Sequence, residues 1–191
     1  MTRSYLDLPL RDFLGEVASP EPMPGAGYCA AISLSMAAGL VAMAAGASRG
    51  EWGEAKGAAA QANTLRERIA PLAQRNLEAY ASAAARLRGT GDDADDLGLL
   101  LERAAQIPLD IAEAAVDVAS LAAVVAERGE QALRADAVAG ALLAQGAARA
   151  AATLVEVNLG TTSSDPRVTR VRDLSGTATA ATERALATLS G

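Results

Sequence analysis

The sequence predicts an all-α protein, a single-domain bundle of long alanine-rich helices, on three observations. A quarter of its 191 residues are alanine, the residue that costs least to hold in a helix. Aromatics make up only 3%, and the Val/Ile/Thr runs that strands prefer are scarce. Apolar residues also recur at three- and four-residue spacing over long stretches. A chain of this length can bury a core of useful size, so residues 1–191 read as one domain.

A first helix is predicted at about 7–18, where Leu10, Phe13, Leu14 and Val17 stand at i, i+3, i+4 and i+7. PEPMPGAG (20–27) follows. Its three prolines forbid regular structure, and Gly25 and Gly27 leave the backbone unshielded just before the next helix. That second helix, about 28–47, carries no charge. Ala31, Ala38 and Ala45 repeat every seven residues with Gly39 and Gly46 beside them, a smooth face for another backbone. The stretch has transmembrane length without transmembrane strength, since Ile32, Leu34, Leu40 and Val41 together favour insertion by only about 2 kcal/mol. A buried central helix is expected.

A third helix, about 52–88, places Leu65, Ile69, Leu72, Asn76 and Tyr80 on one side, with a kink expected at Pro71. GTGDDADD (89–96) reads as a turn and helix start, leading to a fourth helix that ends near Gln106. Pro108 is expected to break or bend the chain before a fifth helix at 109–127. ERGEQALRAD links to a sixth, about 134–158, again rich in small residues. TTSSDPRV forms a loop before the last, about 167–189.

The composition removes most familiar chemistry. A net charge of −6 argues against nucleic acid and anionic membrane as partners. Cys29 stands alone, so no internal disulfide forms, and MTRSYLDLPL lacks the apolar core of a signal peptide; a cytoplasmic protein is expected. With no histidine there is no Ser-His-Asp or Cys-His arrangement and no common zinc set. Neither GxGxxG nor GxxxxGK[ST] occurs. Asp92, Asp93, Asp95 and Asp96 lack the spacing of a calcium loop and read as a solvated helix start, so neither metal nor cofactor is expected. Carboxylates, amides, hydroxyls and backbone dipoles remain. Among these, unpaired N–H groups at the glycine-flanked start of the second helix suit a ligand's oxygens, although glycine there equally suits close helix packing.

RDFLGEVASPEPMPGAGYCAA (11–31) resembles the N-terminal signature of the cyclodeaminase/cyclohydrolase family of folate enzymes, a pattern like FxxxLAS-x-PxPGGGSVAA followed by an Ala/Gly-rich helix. The likeness continues in order through LAQRNLEAYASAA (72–84), AAQIPLDIAEAAVDV (104–118) and RADAVAGALLAQGAARAAATLVEVNL (134–159). It implies an all-helical homodimer acting on a small molecule, a tetrahydrofolate derivative, with no further cofactor. Two reactions are implied: hydrolysis of 5,10-methenyltetrahydrofolate, or deamination of 5-formiminotetrahydrofolate. The resemblance puts Asp136 at the family's SD position, as the carboxylate that steadies a cation and accepts a proton. It puts Asn158 on a pterin edge and makes Gly25, Ala26 and Gly27 backbone donors. Arg134 or Arg49 would meet a folate carboxylate, although surface arginine explains each as well.

This chain departs from the family pattern at telling places. Tyr28 replaces a serine, Leu154 an asparagine, and Gln74 and Asn76 stand where relatives carry two aspartates. An amide keeps a carboxylate's shape and hydrogen bonding but cannot act as a base. Tyr28 would fill part of a pterin pocket or offer a stacking surface. Three readings stay open: a folate one-carbon enzyme, a member repurposed for cyclisation, hydrolysis or deamination of a non-folate molecule, and a non-catalytic dimer that binds folate or a partner. A dimer interface is expected on the second or the sixth helix, whose small residues permit close approach.

Overall fold

Small side chains set how closely these helices approach. The structure, a computed structural model, describes residues 4–20, 24–48, 50, 52–89, 97–160 and 164–190. Among the described residues every regular element is helical: α1 (Leu10–Val17), α2 (Ala26–Ala47), α3 (Ala55–Leu87), α4 (Leu97–Ala104), α5 (Gln106–Arg128), α6 (Arg134–Leu159) and α7 (Pro166–Ala187). Short 3-10 turns occupy Tyr5–Asp7 and Gln131–Leu133. The protein is all-α, and its core is dominated by alanine, with leucine and valine filling most of the rest.

α2 is the central helix. It packs on α3, α6 and α5, while α6 in turn packs on α5 and α7. α2 and α6 run antiparallel. Gly140 near the start of α6 sits against Ala37, Leu40 and Val41 late in α2, and Leu154 to Asn158 meet the beginning of α2. A methyl group on Gly140 would come within 2.9 Å of Val41 Cγ2 and 3.2 Å of the Ala37 carbonyl oxygen, so glycine is what lets these helices touch. α2 and the stretch 131–159 are both long and apolar enough to cross a membrane, but each is substantially buried against its neighbours as a core helix.

Several boundaries differ from the sequence reading, each for a local reason. The helix is interrupted at Ala105 rather than at Pro108 itself. Pro108 lies in the first turn of α5, where it cannot donate to the Ala104 carbonyl and so breaks the helix just ahead of it. α3 continues unbroken through Pro71. It ends at Gly89, whose φ of 70° is a left-handed value that glycine tolerates, and Gly160 ends α6 in the same way at φ 86°. The Asp92 to Asp96 run lies outside the described residues.

Polar side chains fasten helix ends. Ser48 caps α2: its hydroxyl donates to the Ala44 carbonyl at 2.7 Å and accepts the Glu130 N–H at 2.7 Å, joining the α2 terminus to the segment after α5. Arg134 donates to the Ala126 carbonyl at 3.2 Å and to the Thr188 carbonyl at 3.0 Å, which holds the ends of α5 and α7 together. Asp165 caps α7 by accepting the Arg167 N–H at 2.9 Å, with Pro166 in the first helical position. The Arg167 guanidinium beside Asp165 holds its carboxyl down, at a pKa of about 2.

Candidate functional site

The start of α2 lies exposed to a cavity of about 260 Å³. Its wall comprises Gly25 to Tyr28 from α2, Asn76, Leu77 and Tyr80 from α3, Ala104 and Pro108 beside the α4–α5 junction, and Leu154, Val157 and Asn158 from the end of α6. The volume lies near the lower end of the range for small-molecule pockets, and the wall has their usual character, apolar with a few polar groups.

Gly25 is the N-cap of α2, no side chain caps the helix, and its first turn carries no acid. The N–H groups of Ala26, Gly27 and Tyr28 thus precede the first intrahelical bond, that from the Cys29 N–H to the Gly25 carbonyl at 3.1 Å. They add to the positive end of the helix dipole. Gly27 makes room here for Asn76. A methyl group built on it would overlap the side-chain amide of Asn76.

Asn76 and Tyr80 lie one turn apart on α3, and Leu154 and Asn158 one turn apart on α6; that four-residue spacing puts each pair on one face. Among the described residues the side chains of Asn76, Tyr80 and Asn158 have no hydrogen-bond partner. Among the described residues no Asp, Glu, Lys or Arg lines the cavity. Its described wall holds two amides, two tyrosines and a helix end.

Tyr28 does not shut this chamber. Its ring is 1% exposed and turns toward the N-terminal segment, edge-on to Tyr5 at 5.6 Å and tilted to Phe13 at 5.8 Å. Its hydroxyl lies toward the Leu6 backbone without making a hydrogen bond, Leu6 N–H being taken by the Ser4 hydroxyl at 3.3 Å. Burial, with Asp7 nearby, raises the pKa of this phenol. The neighbouring Cys29 thiol is likewise pushed up by burial, away from nucleophilic use.

The structure brings together Gly25, Ala26, Gly27, Tyr28, Asn76 and Asn158 of the residues singled out from sequence. It leaves out two. Gln74 is two positions from Asn76, a 200° rotation on a helix, and so faces elsewhere; its Nε2 donates to Glu78 Oε1 at 3.0 Å while its Oε1 is buried without a partner. Asp136 stands in the first turn of α6, whereas the cavity is built on the last turn, so roughly 33 Å of helix separates them within one protomer. Arg134 is likewise at that far end, engaged with carbonyls, and Arg49 lies outside the described residues. Tyr80, which the sequence reading placed on a helix face without a role, joins the site.

A wider depression of about 500 Å³ between α3, α5 and α7 is of a different kind. Its arginines are already paired, Arg68 with Asp117 at 2.8 Å, Arg75 with Asp110 at 3.6 Å and Arg170 with Glu113 at 3.4 Å, and all three are half exposed. Solvent screens such pairs, and they read as an ordinary charged surface. Among the described residues no cluster of acids and cysteine could hold a metal ion.

Comparison with known proteins agrees with the fold. The family model described as formiminotransferase-cyclodeaminase matches residues 9–174. Among solved structures the chain is similar to formiminotetrahydrofolate cyclodeaminase from Thermotoga maritima, with a TM-score of 0.87 and 22% identity over 98% of each chain. At that identity the likeness is one of fold. No curated protein sequence matches the chain.

Proposed function

The chain belongs to the formiminotransferase-cyclodeaminase family, and from that premise we propose that the chamber at the start of α2 is a folate site in which 5,10-methenyltetrahydrofolate is hydrolysed. The observation that carries this reading is the wall around an uncapped helix end, neutral among the described residues. The methenyl group is an amidinium cation. A positive helix end without a carboxylate disfavours a nearby cation by about 0.3–1 kcal/mol, more when the end is partly buried. Hydrolysis removes that charge as water adds, so the transition state suffers less than the ground state and the barrier falls. Asn76 and Asn158 offer donors and acceptors to the edge of the pterin, and the N–H groups of Ala26 and Gly27 suit the oxygen that appears on the reacting carbon.

Deamination of a formimino folate is the second reading, favoured by the fold shared with the Thermotoga maritima enzyme. It ends in the same cation, which this wall does not stabilise. Absorbance decides between them. Purified protein should bleach the methenyl chromophore faster than buffer does, and Asn76→Ala should slow this at low substrate. No acceleration, with formimino folate consumed instead, would replace the first reading with the second. Failure with both would remove folate chemistry from this site.

We place the enzyme in the cytoplasm as a homodimer. The outer faces of α2 and α6 carry exposed Met36, Met43, Leu142 and Leu143 on adjacent antiparallel helices. A second copy of the chain covers this apolar area in our reading. Sedimentation at micromolar concentration should find a dimer, and Met36→Glu with Met43→Glu a monomer.

A further inference from the structure

We propose that the hydroxyl of Tyr80 is the proton relay of this site, an inference that rests on the folate reading above and adds to it the group that moves the proton. Water adds its oxygen to the amidinium carbon and releases one proton to solvent, leaving a neutral carbinol whose carbon bears two nitrogens and one hydroxyl. To open the ring, the bond from that carbon to N5 breaks with its electron pair passing to nitrogen. The carbinol oxygen loses its proton as the carbonyl forms, and N5 gains one. One proton therefore travels between two atoms attached to the same carbon, with no net gain or loss. The two atoms are too close for direct transfer through a relaxed geometry. The task suits a group that gives a proton with one hand and accepts one with the other.

A permanently charged base is not needed, and the described wall provides none. Amides donate and accept hydrogen bonds but do not exchange protons readily, which sets Asn76 and Asn158 aside as orienting groups. The thiol of Cys29 is outside the lining. Of the two phenols, Tyr28 directs its hydroxyl toward Leu6 and the N-terminal segment. Tyr80 is left as the one lining side chain among the described residues with an exchangeable proton that is not directed elsewhere, and no hydrogen bond among the described residues engages it. A phenol O–H donates and accepts at one oxygen, so it can protonate N5 while taking the carbinol proton and finish unchanged. Its place on the helix supports this. Tyr80 follows Asn76 by one turn on α3, so an amide that orients the ring and a hydroxyl that serves its reacting edge rise from the same face.

The experiment compares wild type with Tyr80→Phe and Asn76→Ala in methenyltetrahydrofolate hydrolysis, with folate binding measured separately by calorimetry. Tyr80→Phe removes only the oxygen and should lower kcat by about 100-fold or more, the usual yield of positioned acid–base groups, with KM and Kd within threefold. Asn76→Ala should instead raise KM and Kd with the smaller change in kcat. A Tyr80→Phe variant that turns over within threefold of an active wild type overturns the relay and leaves the folate reading standing. A wild type that does not hydrolyse the substrate overturns the folate reading and the relay with it. A Tyr80→Phe variant that loses binding and turnover in equal measure assigns Tyr80 to the ligand contact and overturns its relay role.

Discussion

Gly27→Ala should separate two effects that normally act together when a helical glycine is replaced. Alanine is favoured over glycine in a helix by about 1 kcal/mol, less in the first turn, which alone would stabilise the protein. At Gly27 the added methyl group would coincide with the Asn76 amide, and overpacking of this kind costs about 1–3 kcal/mol. The net expectation is a loss of about 0–2 kcal/mol. Gly39 lies on the same helix with its nearest foreign atom, Arg66 Cδ, 4.0 Å from the built methyl, so Gly39→Ala should gain about 0.5–1 kcal/mol. For a chain of this size 1 kcal/mol is about 2–4 °C in Tm, and the two variants should move in opposite directions by an easily measured margin. Urea denaturation gives the free energies, and the double variant Gly27→Ala/Asn76→Ala should recover most of the loss because the obstructing amide has gone. Should Gly27→Ala stabilise as much as Gly39→Ala, or should the double variant show no recovery, the Gly27–Asn76 contact that shapes the chamber is not as described.

Ser48→Ala should cost about 1–3 kcal/mol in denaturant titrations, since it strands the Glu130 N–H at a part-buried junction, yet leave ligand affinity at the α2 chamber unchanged. Tyr28→Phe should be neutral or stabilising because the hydroxyl it deletes is buried and unpaired; a marked loss would mean that the hydroxyl has a partner after all. Asp165 has a depressed pKa in the folded protein, so its contribution is intact above the ordinary carboxylate range and disappears as pH falls from about 4 toward 2. Asp165→Asn should flatten that part of the stability–pH curve, as read by thermal melts at a series of acidic pH values.

How far the sequence disclosed this arrangement can be traced residue by residue. The helices were legible because alanine content and apolar spacing act locally, and the start of α2 announced itself through three prolines and two glycines clustered within eight residues. Asn76 and Asn158 were found through a family pattern. Asp136 was grouped with Asn158 although 22 residues of one helix divide them, and the length of that helix already rules out a shared small cavity in one protomer. Gln74 and Asn76 were likewise paired although a helix turns them apart. Tyr80 carries a usable signal, its four-residue offset from Asn76, to which the sequence alone attaches no role. The environment of Tyr28 was not legible: only the folded N-terminal segment, with Tyr5 and Phe13, shows that its bulk is housed outside the chamber. Arg134 gave no local sign that two distant helix ends would take up its donors.

The most direct test of the proposed folate site is the set of backbone amide resonances followed during titration with a tetrahydrofolate derivative. The largest shifts should fall on Ala26, Gly27 and Tyr28, accompanied by the side-chain amides of Asn76 and Asn158. Shifts centred on Arg68, Arg75 and Arg170, or none at all at saturating ligand, would contradict it.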